Sequence, residues 1–166
     1  MNYIYQLVIG LASGAFGAWV ATFFALKRFY SEKWWEKRAA AFIELTDAIY
    51  QRKTIQEYYS ELREFQRDGP EEYPNFVKLT DEQLESLEQA AHRAMILITK
   101  YSQVGPLLIT EAASKLLQDY LKEERKVDYE VHFKGLPTDE AEDHLLSMTH
   151  TLFENILTTS KKELKA

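Results

Sequence analysis

Residues 3–26 form an apolar segment that contains no Asp, Glu, Lys or Arg. As an α-helix, these 24 residues would be about 36 Å long, which exceeds the roughly 30 Å thickness of a bilayer core. A buried core helix of this length normally has a polar stripe, and a cleaved signal peptide normally has a basic start and a shorter apolar run. The pattern therefore predicts a transmembrane helix.

Basic and aromatic residues follow this segment directly, whereas no Lys or Arg precedes it. Because the cytoplasmic flanks of membrane helices carry an excess of Lys and Arg, we expect a single-pass protein with its N-terminus outside and its C-terminal domain in the cytoplasm. Tryptophan next to a span typically lies at the level of the lipid headgroups. The membrane-interface anchor predicted on these grounds consists of Lys27, Arg28, Lys33, Trp34, Trp35, Lys37 and Arg38.

Small residues recur every four positions within the apolar segment and form two neighbouring faces of the predicted helix. Lipid supplies no hydrophobic drive for helix association, so a close approach of two backbones across small residues is what allows membrane helices to pack. We therefore expect association with a second copy of the chain or with a partner membrane protein. The residues predicted to form these packing faces are Gly10, Gly14, Ala18, Ser13, Gly17 and Ala21.

After the basic cluster, the apolar positions recur with the spacing of an amphipathic helix. Arg52 interrupts this stripe, and we expect its long side chain to lie along the helix with its charge in water. Gly69 and Pro70 are expected to end the helix with a turn. The apolar positions of the stripe are Phe42, Leu45, Ile49, Ile55, Tyr59, Leu62 and Phe65.

Residues that are typical of helix starts and helix ends predict further helices. Thr80 and Gln83 have the spacing of a capping box, in which each side chain bonds a backbone amide of the other residue. Gly105 and Pro106 are expected to break the second helix, and Thr110 is the predicted N-cap of the third.

Residues 127–133 alternate apolar and polar side chains and are interpreted as a loop, because a single strand would have no sheet to join. The last helix is expected to begin at residues 137–140. Each helix has one apolar face, and a bundle buries all of these faces together. The prediction is an all-α protein: a transmembrane helix with a juxtamembrane anchor (1–30) that continues into a cytoplasmic antiparallel four-helix bundle (31–166).

Three segments of the chain resemble an uncharacterised family of small bacterial single-span membrane proteins. The most specific of them is K-R-F-Y-S-E-K-W-W-E-K-R at residues 27–38, and the others are residues 104–113 and 160–164. The resemblance implies a protein of the bacterial inner membrane with a helical cytoplasmic domain. It implies no catalytic residue.

Composition and charge exclude several classes of function. The chain has 20 Lys and Arg against 26 Asp and Glu, a net charge of −6, which is unfavourable for a protein that coats nucleic acid. The absence of cysteine rules out disulfides, thiolate zinc sites and cysteine nucleophiles. We therefore expect no nucleic-acid partner and no cofactor.

Histidine is the remaining candidate for metal binding or proton transfer. His92, His132, His144 and His150 lack the Glu-x-x-His spacing of di-iron bundles, so no metal site is predicted. Arg125 and His132 are separated by six residues, a spacing similar to that of helical HEPN-type ribonucleases, in which the two residues would stabilise phosphate charge and transfer a proton. Lys126 replaces the polar neighbour usual in that motif.

Aromatic residues near the first predicted turn suggest either a hydrophobic lid over one end of the bundle or a partner surface. The leading hypothesis is a non-enzymatic, membrane-anchored interaction or oligomerisation module that serves as an accessory subunit or as a stress or phage-defence effector. Two alternatives stay open: a membrane-tethered sensor of a small ligand or ion, and a HEPN-like ribonuclease. The residues of the candidate partner surface are Tyr59, Phe65, Tyr73 and Phe76.

Overall fold

The structure is a computed structural model that describes the backbone of residues 2–165 and the side chains of Tyr3 and residues 14–165. It contains four α-helices, with no strand among the described residues. The prediction of an all-α helical bundle is confirmed. The helices are α1 (Asn2–Asp68), α2 (Asp81–Leu108), α3 (Glu111–Lys134) and α4 (Thr138–Lys165).

The chain divides into two compact units, one that ends at Arg38 and one that begins at Ala39. The first unit consists of helical residues of α1. The second unit contains the remainder of α1 together with α2, α3 and α4. The sequence-based boundary lay eight residues earlier, after residue 30.

A search of the described residues finds no helix with a stretch long and apolar enough to cross a membrane. The predicted transmembrane helix is therefore not supported by that search. The side chains of residues 4–13, within the predicted span of residues 3–26, lie outside the described residues. The transmembrane helix stays a prediction.

In the second unit, side-chain contacts fix the direction of each helix relative to its neighbours. Between α1 and α2, Tyr101 donates a hydrogen bond to Glu44 and Tyr59 donates one to Glu88. The two helices are therefore antiparallel. Contacts between α1 and α4 show the same order: the pairs are Tyr50 with Phe153, Glu57 with His150 and Arg63 with Glu142. Short connections make α2–α3 and α3–α4 antiparallel as well.

All four helices contribute to one hydrophobic core. On α1 the buried residues Phe42, Leu45 and Ile49 lie three and four positions apart, which is the period that turns one helical face inward. The predicted stripe is buried from Phe42 to Ile55, whereas Tyr59 lies at the surface and its neighbour Tyr58 is buried instead. The largest fully buried apolar side chains are those of Phe42, Leu45, Ile49, Ile98, Ile109, Leu117 and Ile156.

The predicted ends of α1 and starts of α2 and α3 are found in the structure. Gly69 follows α1 with φ 89° and donates its N–H to the Phe65 carbonyl at 3.0 Å. A positive φ suits glycine because it has no Cβ. Thr80 and Gln83 form the predicted capping box, and the Thr110 hydroxyl accepts the N–H of Ala113 at 3.2 Å.

The predicted break at Gly105 and Pro106 is wrong, because α2 continues through both residues to Leu108. Proline has no N–H, so Pro106 cannot bond the carbonyl of Ser102 four residues earlier. That carbonyl instead accepts Ser114 Oγ at 2.9 Å and Gln118 Nε2 at 2.7 Å, both from α3. Tertiary contacts thus replace the helical hydrogen bond that proline removes.

The predicted loop at residues 127–133 is also wrong, because α3 includes all of them. Val127 is buried in the bundle, and Lys134 pairs with Glu130 one turn earlier, which is helical spacing. The helix ends at Gly135, where φ is 73° and the backbone N–H donates to the Glu130 carbonyl. The apolar and polar side chains of residues 127–133 alternate as they would in a strand. However, no Gly or Pro interrupts the helix before Gly135, so the helix continues through this segment.

Candidate functional site

The most distinctive site in the bundle is a partly polar cavity of about 400 Å³ that residues of α1, α3 and α4 line. A smaller cavity of about 130 Å³ shares Arg52, Glu142 and Leu145 with it and adds Gln56 and Tyr59. Apolar walls with a few polar groups are the usual composition of small-molecule sites. The other principal lining residues of the larger cavity are Glu124, Arg125, Val127, Asp128, Val131 and Ala141.

An ion pair between α1 and α3 crosses this site. Arg52 Nη2 donates to Glu124 Oε1 at 2.9 Å, and the two side chains are 25% and 17% exposed. Burial raises the pKa of the Glu124 carboxyl above its ordinary value, and the positive charge of Arg52 opposes that rise. The expectation that the Arg52 charge lies in water is thus wrong, since its guanidinium is mostly buried and bonds a mostly buried carboxylate.

Three buried polar atoms beside this pair have no hydrogen-bond partner among the described residues. They are Nε of Arg52 and both side-chain amide atoms, Nε2 and Oε1, of Gln56. Arg52 and Gln56 are four residues apart on α1 and therefore share one helical face. Most buried polar groups in proteins are paired, so these three atoms are expected to lower the stability of the bundle.

Paired charges form the rim of the smaller cavity. Arg63 on α1 donates to Glu142 at 2.5 Å and also to Asp143 on α4. Tyr59 donates its hydroxyl to Glu88 Oε1 at 2.5 Å, and this bond, followed by burial, raises the pKa of Tyr59 to about 12. Tyr59 therefore stays a neutral donor at physiological pH.

Charged side chains of both signs surround the two cavities. Three cations and four carboxylates line or border them. The described residues also contain no group of three His, Asp or Glu side chains positioned to hold a metal ion. The charged residues are Arg52, Arg63, Arg125, Glu124, Asp128, Glu142 and Asp143.

The predicted packing residues Gly14, Gly17, Ala18 and Ala21 lie on α1 with exposed side-chain positions. A Cβ added at Gly14 or Gly17 would meet no atom within 4 Å. The side chains of Gly10 and Ser13 lie outside the described residues. The packing surface therefore stays a prediction.

The predicted interface-anchor residues are all exposed on α1. Lys33 Nζ lies 6.0 Å from the centre of the Phe29 ring, and Lys37 Nζ lies 5.8 Å from that of Trp34. Arg28 pairs with Glu32. The remaining exposed anchor residues are Lys27, Trp35 and Arg38.

The candidate partner surface is part of an aromatic cluster. The Phe76 ring lies 5.0 Å from the Phe65 ring and 5.9 Å from the Tyr58 ring, measured between centroids. Tyr73 bonds Glu64, which raises the pKa of Tyr73. These contacts pack the segment between α1 and α2 onto α1, and a partner-binding role stays a prediction.

Arg125 and His132 both lie on α3, although the sequence had suggested a helix end and a loop. Arg125 Nε donates to the Leu121 carbonyl at 3.1 Å, and His132 Nδ1 lies 2.8 Å from the Asp128 carbonyl. Each of these nitrogens is thus bonded within its own helix. His150 of α4 lies 3.0 Å from Glu57 Oε1 of α1.

Sequence reasoning missed both cavities and the unpaired Gln56 amide beside the smaller one. The available signal was Arg52, a charged residue in the middle of an apolar stripe, followed by another polar residue one turn later on the same face. The aromatic pair of Tyr129 and Phe133 on α3 was also missed, with rings 4.9 Å apart and both side chains exposed.

Comparison of the chain with models of protein families, with curated proteins and with solved structures finds no match.

Proposed function

We propose that this protein is a non-enzymatic module anchored in the bacterial inner membrane, with its N-terminus outside and its bundle in the cytoplasm. The N-terminal part of α1 is its transmembrane anchor. It assembles there with further copies of itself or with a partner membrane protein. This function suits an accessory subunit or a stress or phage-defence effector.

The observation that carries the proposal is the exposure of large apolar side chains on α1 before residue 36. The Trp19 side chain, for example, is 65% exposed. Water-soluble proteins rarely leave a contiguous apolar surface of this kind uncovered, and such surfaces mark contacts with a protein or a membrane. The large apolar residues concerned are Phe16, Trp19, Phe23, Phe24, Leu26, Phe29, Tyr30, Trp34 and Trp35.

Between residues 14 and 21, α1 has two different faces. Gly14, Gly17 and Ala21 lie on one side, and helical geometry places Phe16 and Trp19 on roughly the opposite side, about 180° away. The rings of Phe16 and Trp19 are 6.3 Å apart. Bulky rings suit contact with lipid chains, whereas the small residues allow another backbone to approach.

The basic residues that follow support the proposed orientation. A Lys or Arg near an anionic leaflet contributes about 1 kcal/mol of attraction. Trp34 and Trp35 suit the headgroup level, because their rings are apolar and their N–H groups are polar.

A second function is favoured by the cavity between α1, α3 and α4. In this alternative the bundle senses a small ligand, and binding changes the packing of α1. Arg52 and Gln56 support it, since both belong to the helix that also carries the proposed anchor.

The assembly proposal is tested by Gly14→Leu in a membrane two-hybrid assay. Because a Cβ added at Gly14 would meet no atom within 4 Å, we expect a loss of signal to report contact with another chain. The matched control is Ala15→Leu, which adds similar bulk one residue further on, away from the small face. We expect Gly14→Leu to weaken the association and Ala15→Leu to leave it unchanged.

Equal association of both variants and the native chain would contradict packing through this face. The anchor is tested separately by membrane fractionation and by protease treatment of a tag placed at the N-terminus. Recovery of the full chain in the soluble fraction would refute the anchor, and a tag that is protected in intact spheroplasts would refute the orientation.

A further inference from the structure

The outward face of α3 carries basic and aromatic side chains without an acidic residue among them. A helix turns about 100° per residue, so residues 122–133 place these side chains within about 120° of its circumference, opposite the buried Leu117, Tyr120 and Val127. All residues of this sector are exposed. We name it the α3 stripe, and its residues are Lys122, Arg125, Lys126, Tyr129, His132 and Phe133.

Tyr129 and Phe133 form the aromatic end of the stripe. Their ring centroids are 4.9 Å apart with 26° between the ring planes, and the two residues are 52% and 75% exposed. Lys134 Nζ lies 5.9 Å from the centre of the Tyr129 ring. Aromatic side chains supply much of the binding energy of protein interfaces, and rings that already hold each other in place lose little freedom on binding. The pair therefore suits insertion into an apolar pocket of another protein.

Three cations precede this pair on the same face, namely Lys122, Arg125 and Lys126. Arg125 Nε donates to the Leu121 carbonyl at 3.1 Å, which holds the guanidinium group close to the helix. Lys126 pairs with Glu123 at 3.0 Å, but the two side chains are 60% and 42% exposed. An exposed ion pair of this kind contributes little to stability, so a carboxylate of a partner can replace Glu123.

Carboxylates flank the stripe on both sides. Helical geometry places Glu123 and Glu130 beyond one edge and Asp128 beyond the other. The positive surface is therefore only about as wide as one helix face. A bilayer or a nucleic acid presents negative charge over a broad area, so it would meet these carboxylates together with the cations. A single row of Asp or Glu side chains on a protein can meet the cations alone.

We propose that the α3 stripe binds a partner protein through a row of Asp or Glu side chains that ends at an apolar pocket. The pocket receives Tyr129 and Phe133, and the carboxylates pair with Lys122, Arg125 and Lys126. A second copy does not fit as this partner, because two α3 stripes in contact would bring cations against cations. The interaction goes beyond the function proposed above, since it uses a surface other than the apolar part of α1 and does not depend on the membrane anchor.

The test is photocrosslinking of the full chain in living cells of the source organism. Phe133→p-benzoylphenylalanine retains an aromatic side chain at this position and bonds covalently to a contacting molecule on irradiation. The matched control is Ile96→p-benzoylphenylalanine on α2, where the native residue is apolar and 57% exposed. We expect position 133 to give about tenfold more of one crosslinked protein than position 96. Mass spectrometry should place the crosslink beside Asp or Glu residues of that protein.

Charge reversal tests the role of the cations. Lys122→Glu/Lys126→Glu, combined with the crosslinking residue at position 133, should lower the yield about tenfold, because carboxylates would then face carboxylates. The matched control is Arg93→Glu/Lys100→Glu, which reverses two exposed cations on α2 and changes the net charge by the same amount. It should leave the yield unchanged.

Several outcomes would overturn the proposal: no crosslinked protein at position 133, an equal yield at position 96, a crosslink to lipid, nucleic acid or a second copy, a contact segment without Asp or Glu, or an unchanged yield in Lys122→Glu/Lys126→Glu. The comparison of the two crosslinking positions leaves every charge in place, so it decides the matter even if a charge variant fails to fold. Recovery of the chain in the soluble fraction would refute the membrane anchor and leave this measurement unaffected.

Discussion

Replacement of Arg52 by methionine tests whether the ion pair of the cavity stabilises the bundle. Methionine retains most of the apolar stem of arginine, so the change removes the guanidinium with little loss of packing. It leaves the Glu124 carboxylate only 17% exposed and without its partner.

The size of the effect follows from two opposed contributions. Removal of one member of a fully buried ion pair costs about 3–5 kcal/mol. Arg52 is 25% exposed, so water partly compensates for the lost ion pair. The variant also lacks Nε, an unpaired buried atom, and its removal recovers about 1–3 kcal/mol. We expect a net loss of about 2 kcal/mol at pH 7, or about 4–8 °C in Tm for a chain of this size.

The loss should depend on pH in a defined direction. Because burial raises the pKa of Glu124 in the folded state, its contribution to stability is fully present below the unfolded value of 4.5 and is lost as the pH rises through the raised pKa. Arg52 opposes this rise, so without Arg52 the folded-state pKa moves further up. The difference between Arg52→Met and the native chain should therefore be small near pH 4.5 and grow toward pH 7.

Thermal unfolding of the full chain in mild detergent, followed by far-UV circular dichroism at both pH values, measures this difference. Lys126→Met is the control, since Lys126 pairs at 3.0 Å with Glu123 and the two side chains are 60% and 42% exposed. The double variant Arg52→Met/Glu124→Gln should recover most of the stability, because neither charge remains. An equal loss at both pH values, or none at either, would refute the reasoning.

The contacts around Pro106 give two further predictions that the same unfolding measurement checks. Ser114→Ala and Gln118→Met should each lower the free energy of unfolding by about 1 kcal/mol. The double variant should lose more than the sum of the two, because the Ser102 carbonyl then has no donor. A strictly additive loss would mean that water replaces the two lost donors. Gly105→Ala should lower Tm despite the better helix propensity of alanine, since its Cβ would lie 3.0 Å from both Ile109 and Ser114 side-chain atoms. A higher Tm for Gly105→Ala would show that these neighbours yield easily.

The parts of the fold that local signals encode could be predicted from the sequence. Thr80 with Gln83, Thr110 and Gly69 each determine a helix end through bonds to residues within four positions, so their meaning does not depend on the rest of the chain. Pro106 is different, because its effect depends on Ser114 and Gln118 of another helix. No pattern within α2 reveals that those donors will be present.

The candidate site could be predicted only in part for the same reason. The interruption of an apolar stripe by Arg52 is visible in the sequence, but its partner Glu124 is 72 residues away and its position depends on the length of α3. When residues 127–133 are interpreted as a loop, α3 ends about two turns too early. The predicted helix then lacks Val127 and Val131, which line the larger cavity. An error in one helix boundary thus concealed the cavity.

The unpaired atoms of Arg52 and Gln56 lower the stability of the bundle. These three buried atoms weaken the packing of α1 against α3 and α4 by about 1–3 kcal/mol each. Replacement of Gln56 by leucine would remove two of them and retain a similar side-chain volume. We therefore expect Gln56→Leu to raise the Tm of the full chain, and a lower Tm would refute the penalty assigned to this amide.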